Sequence, residues 1–570
     1  MLAIFKAVFI LLGLLLFASF LFRRAEKHGR TTRKTTYLLF IVLTYLFFRG
    51  IGDHGLLDPI EGINASVALN MAVSRDFAAP MVDGRLYLGN SMGFWWLSAL
   101  SLSVFGWSEF SVRLWSVIGS LGMAAAGWFI ALRTCGERAA NYALVLIGSS
   151  ALIYVTSQLA SPHALYAFCV TMSLMGAIYA FRDKRFFILL HASAILAFVV
   201  YGPAGIVLPW LSLLTYAILA RQERFFVKAL LYWPGLLVTV FIGGGYIIFL
   251  NIRNPYILTL MSQNFPGEMF YSVASALSFL AVGFILWLGA LPGAVRSALP
   301  LRWGDILPSE NENVLLLVWC IVFLFFGVFS GDALLLVAAL PAIAVLCANH
   351  LADAVEKGDS RLFQRFVALE IFLLVPFIFV VLPLFFATAG SELQHTLMSV
   401  IPWAAFCLLF LWAGWKYART RQPRKLMMFM GIFSLLSLLP LAGVFVLLGE
   451  NFSVRDAGIY LRNEMKSGDV LFQYGLNHPS LSFYIGKPYR TSMLVHVPAN
   501  QKIVGQDVVG DAELNNMWLG EDRVFMLINR RQNIVAPLPR VVYNLHEVRD
   551  MIVLSNRRDN ELPPTRDIFP

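Results

Sequence analysis

Long apolar runs alternate with short polar breaks from the start of the chain to about Glu450. The runs are near 20 residues each, the length that carries a helix across a bilayer at about 1.5 Å per residue. They include Ala3–Phe22, Thr36–Ile51, Leu114–Leu132, Tyr142–Ser157, Ala164–Phe181, Phe187–Tyr201, Pro203–Ala220 and Val273–Val295. Together they predict about 13–14 transmembrane helices in an α-helical polytopic membrane protein. The run Gly93–Trp107 is apolar and aromatic but short. It reads as a helix lying on or dipping into the membrane and closed by Gly106. After Glu450 the pattern changes to a helical stretch, Ser453 to Lys466, followed by short runs such as Asp469–Phe472 and Arg523–Ile528. Helix followed by strands predicts a small α/β domain outside the membrane. The expected layout is residues 1–35 as an extra N-terminal span with a basic loop, 36–450 as the transmembrane domain, and 451–570 as the added domain. The segment from about Ser555 is charged and Pro-containing, which reads as disordered.

Charge sets the expected orientation. Arg and Lys cluster in every second break: Arg23 to Lys34, Arg133 and Arg138, Arg182 to Arg185, Arg221 to Lys228, Arg361 and Arg365, Lys416 to Lys425. Basic loops stay in the cytoplasm. The N-terminus, the polar loop at residues 52–92 and the C-terminal domain are then expected on the outer face of a bacterial inner membrane. The first run lacks an A-x-A-like cleavage site and its basic cluster follows it, so it reads as a retained span. Composition agrees: 58% of residues are hydrophobic, 14% are charged, and mean hydropathy is +0.70. The net charge of +10 belongs to the cytoplasmic loops and not to a nucleic-acid surface. The five cysteines lie in or beside apolar runs and form no CxxC pair or disulfide framework.

The loop at 52–92 concentrates the polar chemistry, with Asp53, Asp58, Glu61, Asp76 and Asp83 in one island. Asp58 and Glu61 are three residues apart on a starting helix, so they can share a face. Either is a candidate general base beside a lipid-borne substrate. The competing reading is helix capping, with Asp58 ahead of Pro59 and Glu61 three on. Arg85 and Arg113 are candidate phosphate partners; the alternative for Arg113 is a pair with Glu109 one turn earlier. Asp76 and Asp83 read as solvated carboxylates. His163 is an ionisable group at the outer mouth of a span, a functional candidate against a hydrogen-bonded structural histidine. Arg253 and Glu268 lie in the outer loop Asn251–Tyr271. Lys487 and Arg490 near Tyr484 are candidates to meet an acceptor from the domain. Trp95, Trp96 and Trp107 read as interfacial anchors. No His/Asp spacing selects a metal, so no cofactor is assigned and a divalent ion is left open. Charged residues are nearly absent from the middles of the spans, which argues against a transporter.

From Asp58 the loop runs DPIEG, ASVALNMAVS, then DFAAPMVDGRLYLGNSMGFWWLSALSLSVFGWSEFSVRL. With Tyr201-Gly202-Pro203, Ser330 to Pro341 and Gly475 to Lys487, this resembles the GT-C glycosyltransferases. The branch it looks like contains the aminoarabinose-to-lipid-A transferases and the protein O-mannosyltransferase-like enzymes. Pro80, Gly84, Tyr87, Trp96, Phe105, Gly106, Glu109 and Arg113-Leu114 fit that pattern. The pattern's loop Asp falls at Ile60, its Arg at Ile63, its two lysines at Asn90 and Tyr201, and its second-loop Asp near Ser161. The resemblance implies transfer of a sugar from a polyprenyl-phosphate carrier to a lipid, glycan or protein acceptor on the outer face. It implies Glu61 and Asp58 as the catalytic pair, with Arg85, Asn90, Tyr87, His163, Tyr201 and Arg253 around the substrates. The alternative is a catalytically diverged GT-C-like protein that binds a lipid-linked glycan or regulates a partner.

Overall fold

The computed structural model describes residues 30–82, 85–87, 92–253, 282–299, 312–330, 332–381, 383, 397–420, 422–466, 468–486, 491–495, 508–520, 522–529, 543–548 and 551–557. Asn90, Asp83, Glu268, Lys487, Arg490 and the expected span Ala3–Phe22 lie outside them, and Arg85 and Arg253 are described by backbone alone.

The chain is a helical membrane protein carrying a small α/β domain. Among the described residues, eight helices are long and apolar enough to cross a bilayer, or up to nine if the bent pair Glu137–Gly148 and Ala151–Gln158 is one span. That pair breaks by 57° where the sequence pattern shows one continuous run. The break sits at two serines that bond sideways to another segment: Ser149 Oγ accepts from Trp287 Nε1, and Ser150 Oγ donates to the Gly283 carbonyl. Spans pack through small residues, as expected where lipid gives no hydrophobic drive between helices. A Cβ on Gly119 would stand 2.7 Å from the Leu165 backbone, so helix Glu109–Cys135 lies directly against helix His163–Ala180.

Helix Gly93–Phe105 has 13 residues, too few to span, and stops at Gly106 with φ 84° and its N–H on the Leu102 carbonyl. Ser108 then caps helix Glu109–Cys135, its side chain accepting from the Ser111 N–H. The loop helix, Ile60–Ser74, ends at Arg75 in the left-handed region. A two-residue ribbon, β1 (Met81–Val82) against β2 (Arg85–Leu86), follows it.

The domain holds a six-stranded sheet. Its strands are β3 (Val470–Tyr474), β4 (Thr491–Val495), β5 (Val508–Val509), β6 (Val524–Asn529), β7 (Tyr543–Val548) and β8 (Met551–Ser555), in spatial order β5-β4-β3-β6-β8-β7. β5, β4, β3 and β6 run parallel; β8 and β7 add antiparallel. All five β3 residues are buried, as in a parallel strand covered on both faces. One face packs with Leu514 and Trp518. The other shares a core with the membrane part: Leu471, Phe525, Leu527 and Val553 meet Leu461, Leu481, Leu56, Ala65, Leu69 and Val112. The domain is thus seated on the loop helix.

Candidate active site

Arg113 lies at 0% exposure on the first turns of helix Glu109–Cys135, and all five of its N–H groups are used. Nε donates to Glu61 Oε1 at 2.8 Å and Nη2 to Glu61 Oε2 at 2.7 Å. Nη1 reaches the carbonyls of Ile51 and His54, and Nη2 that of Gly55. Glu61 is also at 0% exposure. Its Oε1 accepts the Ala160 N–H at 2.6 Å, and its Oε2 the Leu57 N–H at 2.9 Å. Burial raises the Glu61 carboxyl, but the Arg113 charge and hydrogen bonds outweigh it and hold it below the ordinary value. One ion pair therefore binds the 51–57 loop, the loop helix, the helix carrying Arg113 and the 158–161 turn.

This corrects the expected Glu109–Arg113 pair. Arg113 points into the loop, away from its own helix surface. Glu109 instead meets Arg455 Nε at 3.3 Å and accepts from the Tyr484 hydroxyl at 3.2 Å. The Tyr484 hydroxyl also accepts the Leu56 N–H, and burial pushes its ionisation up.

The capping reading of Asp58 is corrected too. Pro59 occupies the cap position of the loop helix, with no side-chain cap bond. The Asp58 carboxylate crosses to the domain, where it accepts from the Ser480 N–H at 3.0 Å, Ser480 Oγ at 2.5 Å and His478 Nδ1 at 3.0 Å. Its side chain is 6% exposed. Gly62 admits this approach, because a Cβ there would collide with Asp58 Oδ1 and the Ser480 N–H. Ile60, between the two acids, is 44% exposed.

The 158–161 turn leads from the clamp to a second cluster. Ala160 touches Glu61; three residues on, His163 opens its helix behind Pro162. Tyr201 ends helix Phe187–Tyr201, because Gly202 at φ 105° turns the chain and Pro203 follows. Both side chains reach Asp332: His163 Nε2 lies 2.7 Å from Oδ2, and the Tyr201 hydroxyl donates to Oδ2 at 2.9 Å. The Leu334 N–H fills Oδ1 at 3.0 Å, with Asp332 as its local cap. The Tyr166 ring lies 4.8 Å from that of Tyr201. Burial raises the Asp332 carboxyl, but His163 chiefly, with Tyr201 and the Leu334 N–H, brings it down to about 2. The structure thus brings His163 and Tyr201 together around a residue that sequence reading passed over. Asp332 had a visible signal: a Gly-Asp pair between two apolar runs, inside the Ser330–Pro341 stretch.

Tyr87 is half-buried, with its ring 5.9 Å from Trp95 and its ionisation pushed up by burial. Trp95 is fully buried and donates to Asn64 Oδ1 at 2.7 Å, which corrects its reading as an interfacial anchor; Trp96 donates to the Phe77 carbonyl. Trp107 is 45% exposed. Among the described residues, no three His, Cys, Asp or Glu side chains gather to hold a metal.

Comparison with known proteins finds relatives of this sequence and fold. Residues 90–244 match the family described as dolichyl-phosphate-mannose-protein mannosyltransferase. The undecaprenyl phosphate-alpha-4-amino-4-deoxy-L-arabinose arabinosyl transferase 1 of Sodalis glossinidius is 26% identical over 346 residues, 57% of this chain. The match spans 60% of that relative's own length. A Pseudomonas paraeruginosa transferase of the same description is 25% identical over 416 residues, covering 69% of this chain and 72% of the relative. The solved structure of ArnT from Cupriavidus metallidurans bound to undecaprenyl phosphate superposes with a TM-score of 0.76 at 16% identity, covering 92% of this chain and 98% of that one. The oligosaccharyltransferase AglB from Archaeoglobus fulgidus superposes at 0.51 and 12% identity, over 88% of this chain and 69% of that one. The chain has the fold seen in ArnT, and its sequence is similar to the undecaprenyl-phosphate aminoarabinose transferases.

Proposed function

We propose that this chain is an integral-membrane glycosyltransferase of a bacterial inner membrane. It takes a sugar from a polyprenyl-phosphate-linked donor and passes it to a lipid, glycan or protein acceptor on the extracytoplasmic face, where its C-terminal domain sits. The observation that carries this reading is the Glu61–Arg113 clamp, which gathers the loop helix and the 158–161 turn on the domain side of the spans, where the chain runs on to His163 and its contact with Asp332. A polar wall over an apolar bundle lets a sugar phosphate stay wet while its prenyl tail stays in lipid. The leaving phosphate needs positive charge or backbone donors; Arg85, Asn90 and Arg253 are assigned to it, with Tyr87, His163 and Tyr201 beside the sugar. Glu61 and Asp58 enter this proposal as the groups that hold the site's shape, because their oxygens are spent on Arg113, backbone N–H groups, Ser480 and His478.

The test is release of undecaprenyl phosphate by the purified protein in nanodiscs, from undecaprenyl-phosphate-linked glucose, mannose, galactose or 4-amino-4-deoxyarabinose. Release from at least one donor is expected. One observation favours the second reading, a diverged protein that binds a lipid-linked glycan without transfer: exposed Ile60 stands where the family pattern has an acid. Saturable binding of undecaprenyl phosphate with no turnover of any donor would select it.

A further inference from the structure

We propose that Asp332, held by His163 and Tyr201, is the proton acceptor for the hydroxyl that receives the sugar, which makes the acceptor an alcohol. This rests on the transferase reading above.

The carboxylates described on the domain side differ in what their oxygens have left to do. Glu61 has two hydrogen bonds on each oxygen and no exposure. Asp58 takes three bonds from the domain and is 6% exposed. Glu109 is committed to Arg455 and Tyr484 and is 8% exposed. Asp332 is held by three donors from three segments, yet 35% of its side chain stays open. It is preorganised and reachable at once, the combination that positioning for proton transfer requires.

Its partners fit the role. A carboxylate only accepts, so His163 Nε2 carries the shared hydrogen and the imidazole stands behind Asp332 as its orienter. His163 Nδ1 is buried and has no hydrogen-bond partner among the described residues, so none of them pulls the ring from Asp332. The Tyr201 hydroxyl fixes the same oxygen from a second helix.

In the step itself, the acceptor oxygen forms a bond to the sugar's anomeric carbon. The bond from that carbon to the lipid phosphate oxygen breaks, and its electron pair leaves with the phosphate. The acceptor's proton moves to an Asp332 oxygen and from there to water. A carboxyl held near 2 is a weak base. It suffices here because an oxygen bonding to an oxocarbenium-like carbon becomes far more acidic than a carboxylic acid as the bond forms.

The test compares wild type, Asp332→Asn and His163→Gln in nanodiscs, following undecaprenyl phosphate release from the same four donors with and without an added alcohol acceptor. Asp332→Asn should lower kcat about 100-fold or more, with affinity for undecaprenyl phosphate and melting temperature unchanged. Wild-type kcat should be flat down to about pH 4, while His163→Gln should acquire an acid limb near the ordinary carboxylate value of about 3.9. An Asp332→Asn enzyme within threefold of wild type overturns the proposal and leaves the transferase reading standing. Should Asp332→Asn fail to fold, an unchanged pH profile in His163→Gln overturns it. A wild type that turns over no donor defeats the transferase reading, and this proposal with it.

Discussion

Glu61 and Arg113, 52 positions apart, meet through two hydrogen bonds of 2.8 and 2.7 Å with neither side chain exposed. Removing one partner strands the other's charge in the interior, a loss of about 3–5 kcal/mol. Arg113→Ala and Glu61→Ala should each lower the melting temperature of the detergent-solubilised protein sharply. Arg113→Lys should rescue little, since three point donors cannot serve two carboxylate oxygens and three carbonyls. A melting temperature unchanged in Arg113→Ala would contradict the clamp.

The same pair sets a pH dependence. The Glu61 carboxyl lies lower in the folded protein than the ordinary glutamate value of 4.5. Its contribution is therefore present above that value and is lost as pH falls through the lower folded one. Melting curves taken downward from pH 6 should show wild type losing stability below about pH 4.5, with Glu61→Gln less stable but flatter there.

His54 predicts a second, separate window. Its ring lies 5.5 Å from Phe445, its Nδ1 bonds the Gly50 carbonyl, and burial, with Arg113 nearby, lowers it from 6.5 to about 4. The unfolded chain binds this proton first as pH falls, so the stabilisation is full above pH 6.5 and is lost on acidification toward 4. The loss is on the order of 3 kcal/mol across the window. His54→Phe should remove that slope between pH 6.5 and 4.5; parallel melting curves for the two proteins would count against it.

Asp58 ties the membrane part to the domain through His478 and Ser480. Asp58→Ala leaves the Ser480 N–H and hydroxyl without their acceptor, at about 1–3 kcal/mol. Hydrogen exchange at residues 475–486 should rise in this variant while the spans stay protected. Unchanged exchange there would mean that the shared apolar core alone seats the domain.

The sequence made the architecture legible wherever the signal is local. Span length and the change of pattern after Glu450 each need only a window of residues, and the domain's helix and strands appear at Arg455–Glu464, Val470–Tyr474 and Val524–Asn529. The site was legible as a list of residues and not as a set of partners. Arg113 has a plausible mate one turn away in Glu109, so nothing nearby points to Glu61. Asp332 joins His163 across 169 positions, so neither residue points to the other along the chain. Asp58 before a proline reads as a cap until the domain supplies Ser480. In each case the deciding contact is long-range and depends on how the spans pack.

On the proposed function, a lipid-linked sugar is handled on the domain side, at the Asp332 cluster. A cryo-electron microscopy map of the protein in nanodiscs with undecaprenyl-phosphate-linked sugar tests it most directly. Density for the sugar is expected within hydrogen-bond reach of Asp332 and Tyr201, with the prenyl chain running down among the spans. Lipid-phosphate density confined to the opposite side of the membrane, with nothing beside Asp332, would contradict it.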